Sequence, residues 1–423
     1  MPASVVITGI GTVTPLGLDP LEVLRRIEAG ESAAAPPTGF DATPFACRVC
    51  TEVKDFQPQR YVSEPKLLRL MNRDAQLAVA AAHLALLDAG LKVGADYPPE
   101  EIALFGATGL AGLPLSEVAP LVRASARADG QFDPVLFGVA GLKAVSPILS
   151  FKILSNMPVC FVSICENLQG PNAIYTPWEG QGAQAVEAGV RAIRSGEARC
   201  AVVGGGDAKT HELAFLSLEQ LGVFESWKRT GAGPVPGEGA VFLVLEEADC
   251  AASRGARHYA RITASAFRSR QKGTSETETR TEVLSALRSA ERIDAVVSAS
   301  DTEVGNGDEE AWAPSEPRPA EPEAKRPLTR SSTTLSPSDG ERAGVRGRPE
   351  RIDAEMTDSC LNESRAIPNC VLRPKPCVGN LFAAAAALQA ALGAMLVDRL
   401  GGRVLANCFG HGSEQAAFLL EPP

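Results

Sequence analysis

Positive charge is in deficit in this chain: 41 Lys and Arg face 51 Asp and Glu, giving a formal net charge of −10 and a pI near 5.2. A broadly basic face is what nucleic acid or an anionic membrane surface requires, so neither partner is expected. An acidic partner has to meet a local basic patch instead. Long apolar runs are also missing, and none reaches the roughly 18 residues expected of a membrane span. The opening "MPASVVITGIGTVTPLG" has no basic region ahead of its apolar stretch, so it reads as a strand entering a turn rather than a signal peptide.

Paired cysteine motifs are nearly absent. Ten cysteines lie mostly singly along the chain, several in apolar runs read as strands ("CFVSIC", "CAVVGGG", "LANCFG"). That pattern suits buried free thiols in a reducing compartment, and the cytoplasm is the expected location. Cys47 and Cys50 have CxxC spacing, but no second pair or histidine cluster follows at zinc-site distance, so strand alternation explains them better than a metal does. "GIGTVTPLG" lacks the third glycine and downstream acid of a dinucleotide loop. "VVGGGDA" reads as glycine permitting close backbone approach at a strand end.

What is present is an α/β alternation. Continuous β-branched runs bounded by glycine ("SVVITGIG", "EIALFGAT", "CAVVGGGDA", "IDAVVSAS") suit strands covered on both faces. Helical stretches such as "DAQLAVAAAHLALLDAGL" separate them, which makes a layered α/β protein. At 423 residues with 45% apolar composition, the chain is long enough for two fused cores. Residues 311–350, "AWAPSEPRPAEPEAKRPLTRSSTTLSPSDGERAGVRGRPE", are dense in Pro, Ser, Glu and Arg. They bury too little to offset their ordering entropy, and the segment is expected to be a disordered insertion.

Two helices share an unusual composition. One follows Glu179 and carries Gly182, Ala183, Ala185, Ala188, Gly189 and Ala192; the other follows Asn380 as "LFAAAAALQAALGAMLV". Small side chains on nearly every face imply neighbours on nearly every side, so both are expected to be core helices between layers. They lie about two hundred residues apart, each after a Gly- or Pro-marked turn. An internal duplication would produce that arrangement.

In this order, "VVITGIGTVTPLG", "EAGESAA", "FDATPFACRVCTEVKDF", "DAQLAVAAAHLALLDAGL", "SPILSFKILSNM", "LQGPN", "SGEARCAVVGGGDA", "PGEGAVFLVLEEADCAASRGA", "RPKPCVGN" and "NCFGHG" resemble successive landmarks of the β-ketoacyl-ACP synthases over nearly the whole chain. These are the elongating condensing enzymes of fatty-acid and polyketide synthesis. The resemblance implies a thiolase-like αβαβα fold of five layers made of two similar halves, residues 1–250 and 251–423. It also implies an acyl carrier protein whose phosphopantetheine carries the substrate, with no bound cofactor and no metal.

The family's chemistry needs a nucleophilic cysteine at a strained turn before the first core helix, and two histidines for decarboxylation and oxyanion stabilisation. Carried over by motif, the cysteine position is Glu179, the first histidine position is Ser300 in "SASDTEVGNGD", and the second is Asn380 in "KPCVGN". None of the four histidines (83, 211, 258, 411) occupies a family position. A carboxylate is a poor acyl acceptor, and an ionised Glu179 would repel a malonyl carboxylate by roughly 4 kcal/mol at contact, for an effective dielectric near 20. Decarboxylative condensation by this chain alone is not expected.

The family lysine is kept as Lys375, whereas the family's acidic residue in the second core helix is Gln389. Lys375 is therefore expected to pair with Glu179, helped by the helix amino end. His411 stands where the family has an aromatic gate. It could form an acid/base dyad with Glu179; filling the gate and bonding a backbone carbonyl is preferred, because a dyad without nucleophile or orienting group is incomplete. Trp178 and Phe409 are candidate plugs of the former acyl pocket. Between "MLVDRL" and "NCFGHG" only "GGRVLA" remains where the family has a longer tunnel wall.

These departures resemble chain-length factors, ketosynthase relatives that lost the cysteine, usually to Gln, and pair with an intact enzyme. The expectation is a non-catalytic subunit of a type II fatty-acid or polyketide system, dimerising with an intact ketosynthase paralogue or with itself. The alternative is a divergent acyltransferase, decarboxylase or thioesterase using Glu179 and His411. A decaying scaffold is a third.

Overall fold

The computed structural model describes residues 3–62, 64–109, 112–287, 293–299 and 370–423. Ser300 and the 311–350 segment lie outside the described residues. Ten strands form one hydrogen-bonded sheet: β1 (Val5–Val13), β2 (Ile102–Thr108), β3 (Asn172–Tyr175), β4 (Cys200–Ala208), β5 (Glu238–Glu247), β6 (Ala260–Ser269), β7 (Ala295–Val297), β8 (Cys370–Leu372), β9 (Val404–Cys408) and β10 (Glu414–Glu421). Their spatial order is β3-β2-β4-β5-β1-β6-β10-β9-β7-β8.

That order is a repeat. In the first five strands β1 runs antiparallel to β5, β5 to β4, and β4 and β2 are parallel, as are β2 and β3. In the second five, β6 runs antiparallel to β10 and β10 to β9, while β9, β7 and β8 are parallel. The five strands of one half therefore map in order onto the five of the other. Among the described residues, the ladder pairs Val6↔Arg261 and Ile7↔Ala260 join them. The duplication inferred from the two small-residue helices appears here as strand order.

Helix Glu179–Ser195 packs on β2 and β4 and reaches β10, and helix Ala385–Leu400 packs on β9 and β5 and touches the first. Their small residues serve this crowding. A Cβ on Gly189 would strike Val203, and one on Gly182 would strike the Ala383 carbonyl. At β4, Gly205 likewise lies against the Ala383 carbonyl, the close approach expected of "VVGGGDA". Helix Arg73–Asp88 covers the other face, against β1, β4 and β5.

Three readings need correction. "CFVSIC" belongs to helix Met157–Glu166, not a strand; Pro158 opens that helix, and a short apolar run fits either period until its neighbours decide. Cys47 and Cys50 sit in no regular strand, and Cys50 makes only a lone bridge to Ala35. Both are buried beside Phe40, Phe45, Phe215 and Phe224, and two buried residues three apart do not follow strand alternation. Burial pushes the two thiols up to about 11 and about 12. Finally, Phe382–Leu400 is a 19-residue helix long and apolar enough to cross a membrane by length and composition, with 83% of its apolar window buried inside the protein.

Candidate functional site

The chain turns sharply through Thr176, Pro177 and Trp178 into the first core helix, where Glu179 is the first helical residue. The Trp178 amide donates to Gln181 Oε1 at 3.2 Å, which closes the turn. Gln181 in turn donates to Glu414 Oε2 at 2.8 Å, tying the helix start to β10. Glu179 is 0% exposed, so its charge depends on what surrounds it.

Four donors surround it. Asn380 Nδ2 donates to Oε1 at 2.7 Å, and the His411 amide donates to Oε2 at 3.2 Å. His411 Nδ1 lies 3.2 Å from Oε1, and Lys375 Nζ 3.6 Å from Oε1. Asn380 Nδ2 also lies 3.2 Å from His411 Nδ1; with that amide donating to Glu179 Oε1, a proton on Nδ1 lets the ring donate to the same carboxylate oxygen. Burial alone would raise the Glu179 carboxyl, but the Lys375 charge and the hydrogen bonds from His411 and Asn380 hold it well below the usual carboxylate range. It is an ionised, fully engaged carboxylate at a helix amino end.

The donors have anchors of their own. The Asn380 amide donates to the Val235 carbonyl at 2.7 Å, and Asn380 Oδ1 accepts from the Phe382 amide at 3.0 Å. Lys375 also reaches the Phe409 carbonyl at 3.3 Å. Buried Gln415 staples the His411 loop, accepting from Gly410 N at 3.2 Å and donating to the carbonyls of Gly410 and Gly412 at 3.1 and 3.0 Å. Gly410 packs flush on Glu179, where any Cβ would collide with the carboxyl group. Above it, the rings of Trp178, Phe382 and His411 pack with centroids 5.9 to 6.3 Å apart.

The expected Lys375–Glu179 pairing is therefore present. His411 meets the carboxylate as the dyad reading required, and the preferred reading, a bond to a backbone carbonyl, misses this contact. Phe409 is not beside Trp178: it packs with Ala266, Val283 and Leu284, under the Arg280 guanidinium at 5.3 Å. Gln389 is buried mid-helix with neither amide atom partnered. The "GGRVLA" connector turns directly from Leu400 through left-handed Gly401 into β9.

A second buried cluster escaped sequence reasoning. Asp74 of helix Arg73–Asp88 and Asp207 at the end of β4 are 1% and 0% exposed. Lys209 pairs with Asp207, which also receives the amides of Ala208 and Ala383. Asp74 receives the Gly112 amide, and the Asn72 side chain at 3.3 Å. Burial raises both carboxyls; Lys209 sits on Asp207, and Asp74 is pushed up to about 8 by burial and then by the Asp207 charge. Lys209 lies 5.8 Å from the Phe382 ring centroid, so this ring separates the two clusters. Nearby opens a depression of about 760 Å³ lined by Lys54, Arg69, Arg73, Lys152 and His211 with Glu52, Glu117 and Glu238.

The model of the beta-ketoacyl synthase N-terminal domain matches residues 3–251. The chain belongs to the β-ketoacyl synthase family. Among curated relatives in the family, a 3-oxoacyl-[acyl-carrier-protein] synthase 2 of Synechocystis sp. is 29% identical over 266 residues, 60% of this chain and 60% of its own. The granaticin polyketide putative beta-ketoacyl synthase 1 of Streptomyces violaceoruber is 28% identical over 280 residues, 64% of each chain. The chain thus spans about 60% of the length of the curated relatives it matches. The ishigamide ketosynthase/chain length factor superposes over 100% of both chains with a TM-score of 0.69 at 22% identity. A beta-ketoacyl synthase from Burkholderia phymatum does so with a TM-score of 0.70 at 19% identity. The fold is thiolase-like, in the mixed α/β layers expected.

Proposed function

We propose that this chain is a non-catalytic, chain-length-factor-type subunit of a type II fatty-acid or polyketide β-ketoacyl-ACP synthase. One observation carries the reading: at the position matching the family's cysteine stands an ionised, buried carboxylate already engaged by Lys375, Asn380 and His411. Such a group neither accepts an acyl chain nor admits a malonyl carboxylate. Asn380 and Ser300, at the two histidine-matching positions, add no imidazole.

Its partner is an intact ketosynthase paralogue or a second copy. In support, Phe132, Val135, Val139, Phe151, Ile153 and Leu154 are all 46% or more exposed in the stretch that leads to β3, the strand at one end of the sheet. Exposed apolar residues grouped in this way mark association surfaces. The acyl carrier protein is its second partner, and the depression does not supply a basic patch for it, because Arg73 and Lys152 in its lining are already paired with Glu238 and Glu117. Residues 1–250 and 251–423 act as the two halves of the subunit. A reducing, cytoplasmic setting suits the eight free thiols among the described residues.

Co-expression with an intact ketosynthase tests this: a stable heterodimer is the expected result. A chain that purifies alone and gains nothing from the partner ends the reading. The 3.2 Å contact between His411 and Glu179 favours one second reading, an acyl-hydrolysing or decarboxylating enzyme. It requires acyl-pantetheine hydrolysis or malonyl decarboxylation by the purified chain, lost in Glu179→Ala.

A further inference from the structure

We propose that the buried cluster is a carboxylate receptor whose resident ligand is the chain's own Glu179 side chain. The inference rests on the non-catalytic reading of this centre and adds the chemistry of what the centre holds.

The donors decide it. All four groups that meet the carboxylate, the Lys375 ammonium, the Asn380 amide, the His411 amide and the His411 ring, come from residues 375–411. None comes from the helix that carries Glu179. Their supports are equally independent of Glu179: Val235 and Phe382 hold Asn380, and Gln415 holds the His411 loop by three bonds. Cutting back the Glu179 side chain therefore leaves these donors in position, converging on the space it vacates. A preorganised set of this kind binds without first paying to order itself. The space is also sized, because Gly410 closes on the carboxyl group without room for a further methyl.

The free ligand is thus a short monocarboxylate whose length is set by what the substitution removes. Glu179→Ala keeps Cβ and vacates one methylene and the carboxylate; a free ligand must stand at van der Waals distance from Cβ where the side chain had a bond, which leaves the outline of formate. Glu179→Gly vacates one carbon more, the outline of acetate.

The experiment is a thermal-melt and calorimetric titration of wild type, Glu179→Ala and Glu179→Gly with sodium formate, sodium acetate and neutral acetamide. Formate is expected to raise the melting temperature of the Ala variant more than acetate does, with the order reversed for the Gly variant. Wild type and acetamide should give no shift. Adding Lys375→Met to Glu179→Gly should weaken acetate binding roughly tenfold or more, as for loss of a charged partner. Should either single variant be unfolded, refolding in its matched carboxylate is expected to restore near-UV circular dichroism. Absence of a carboxylate-specific shift, equal shifts in wild type, or no recovery on refolding overturns the receptor. A variant that ignores its matched carboxylate yet co-purifies with an intact ketosynthase sinks the receptor and spares the subunit reading; carboxylate uptake without any partner does the opposite.

Discussion

Asn380 Nδ2 donates to Glu179 Oε1 at 2.7 Å, joining two residues 201 positions apart in sequence. Each stands at the mouth of one core helix. The bond therefore links the two halves of the duplicated sheet at the entrances of their two core helices.

Removing the cation should cost more than removing an ordinary surface ion pair. Lys375→Met leaves a 0% exposed carboxylate without its compensating charge, and such uncompensated burial typically costs about 3–5 kcal/mol. Urea unfolding of the variant should show a lower midpoint with an unchanged slope. The double variant Lys375→Met/Glu179→Leu, with no charge left to bury, should recover much of that loss.

The acid limb of stability belongs in part to Glu179. Its carboxyl is held below the ordinary 4.5 because the Lys375 charge and the His411 and Asn380 hydrogen bonds outweigh desolvation. The folded state thus binds fewer protons there than the unfolded state, so this contribution is complete above about pH 4.5 and falls away as pH drops. Melting temperatures from pH 3 to pH 7 should fall less steeply on the acid side in Glu179→Gln than in wild type.

Asp74 works in the opposite sense. Its carboxyl rises from 3.8 to about 8 through burial and the Asp207 charge, against the Lys209 charge. The folded state keeps a proton that the unfolded state has lost, so stability declines as pH climbs from about 4 to about 8 and then levels. Asp74→Asn, which needs no proton, should be more stable than wild type at pH 8 and close to it at pH 4.

Association should run through the exposed apolar stretch. Charges placed at Val139 and Phe151, 60% and 46% exposed, as Val139→Glu/Phe151→Asp, should leave the melting temperature within about 2 °C of wild type. The same double variant should weaken partner binding by at least roughly tenfold in analytical ultracentrifugation. Unchanged binding would move the interface elsewhere.

How much of this was legible in the sequence depends on which interactions are local. The two core helices could be read because small residues on every face leave a periodic trace, and the Glu179–Lys375 pair because motif spacing brought both residues to the same centre. Asp74 left no such trace: in "MNRDAQLAVAAA" it looks like an ordinary acid in a first helical turn. Only the strand order that places β4 beneath this helix buries it against Asp207. "CFVSIC" failed for a related reason, since a run of six residues, five of them apolar, carries no period of its own. The contact between His411 and Glu179 was not the preferred reading because Asn380, which meets both side chains, reaches them only through the fold.

Among the described residues the sheet ladder joins the halves by the pairs Val6↔Arg261 and Ile7↔Ala260. The cluster at Glu179 adds a fastening away from the strands, with a carboxylate from one half and an ammonium, an imidazole and amides from the other. A buried ion-paired junction of this kind acts as a rivet, and mechanical unfolding of this chain should meet resistance there.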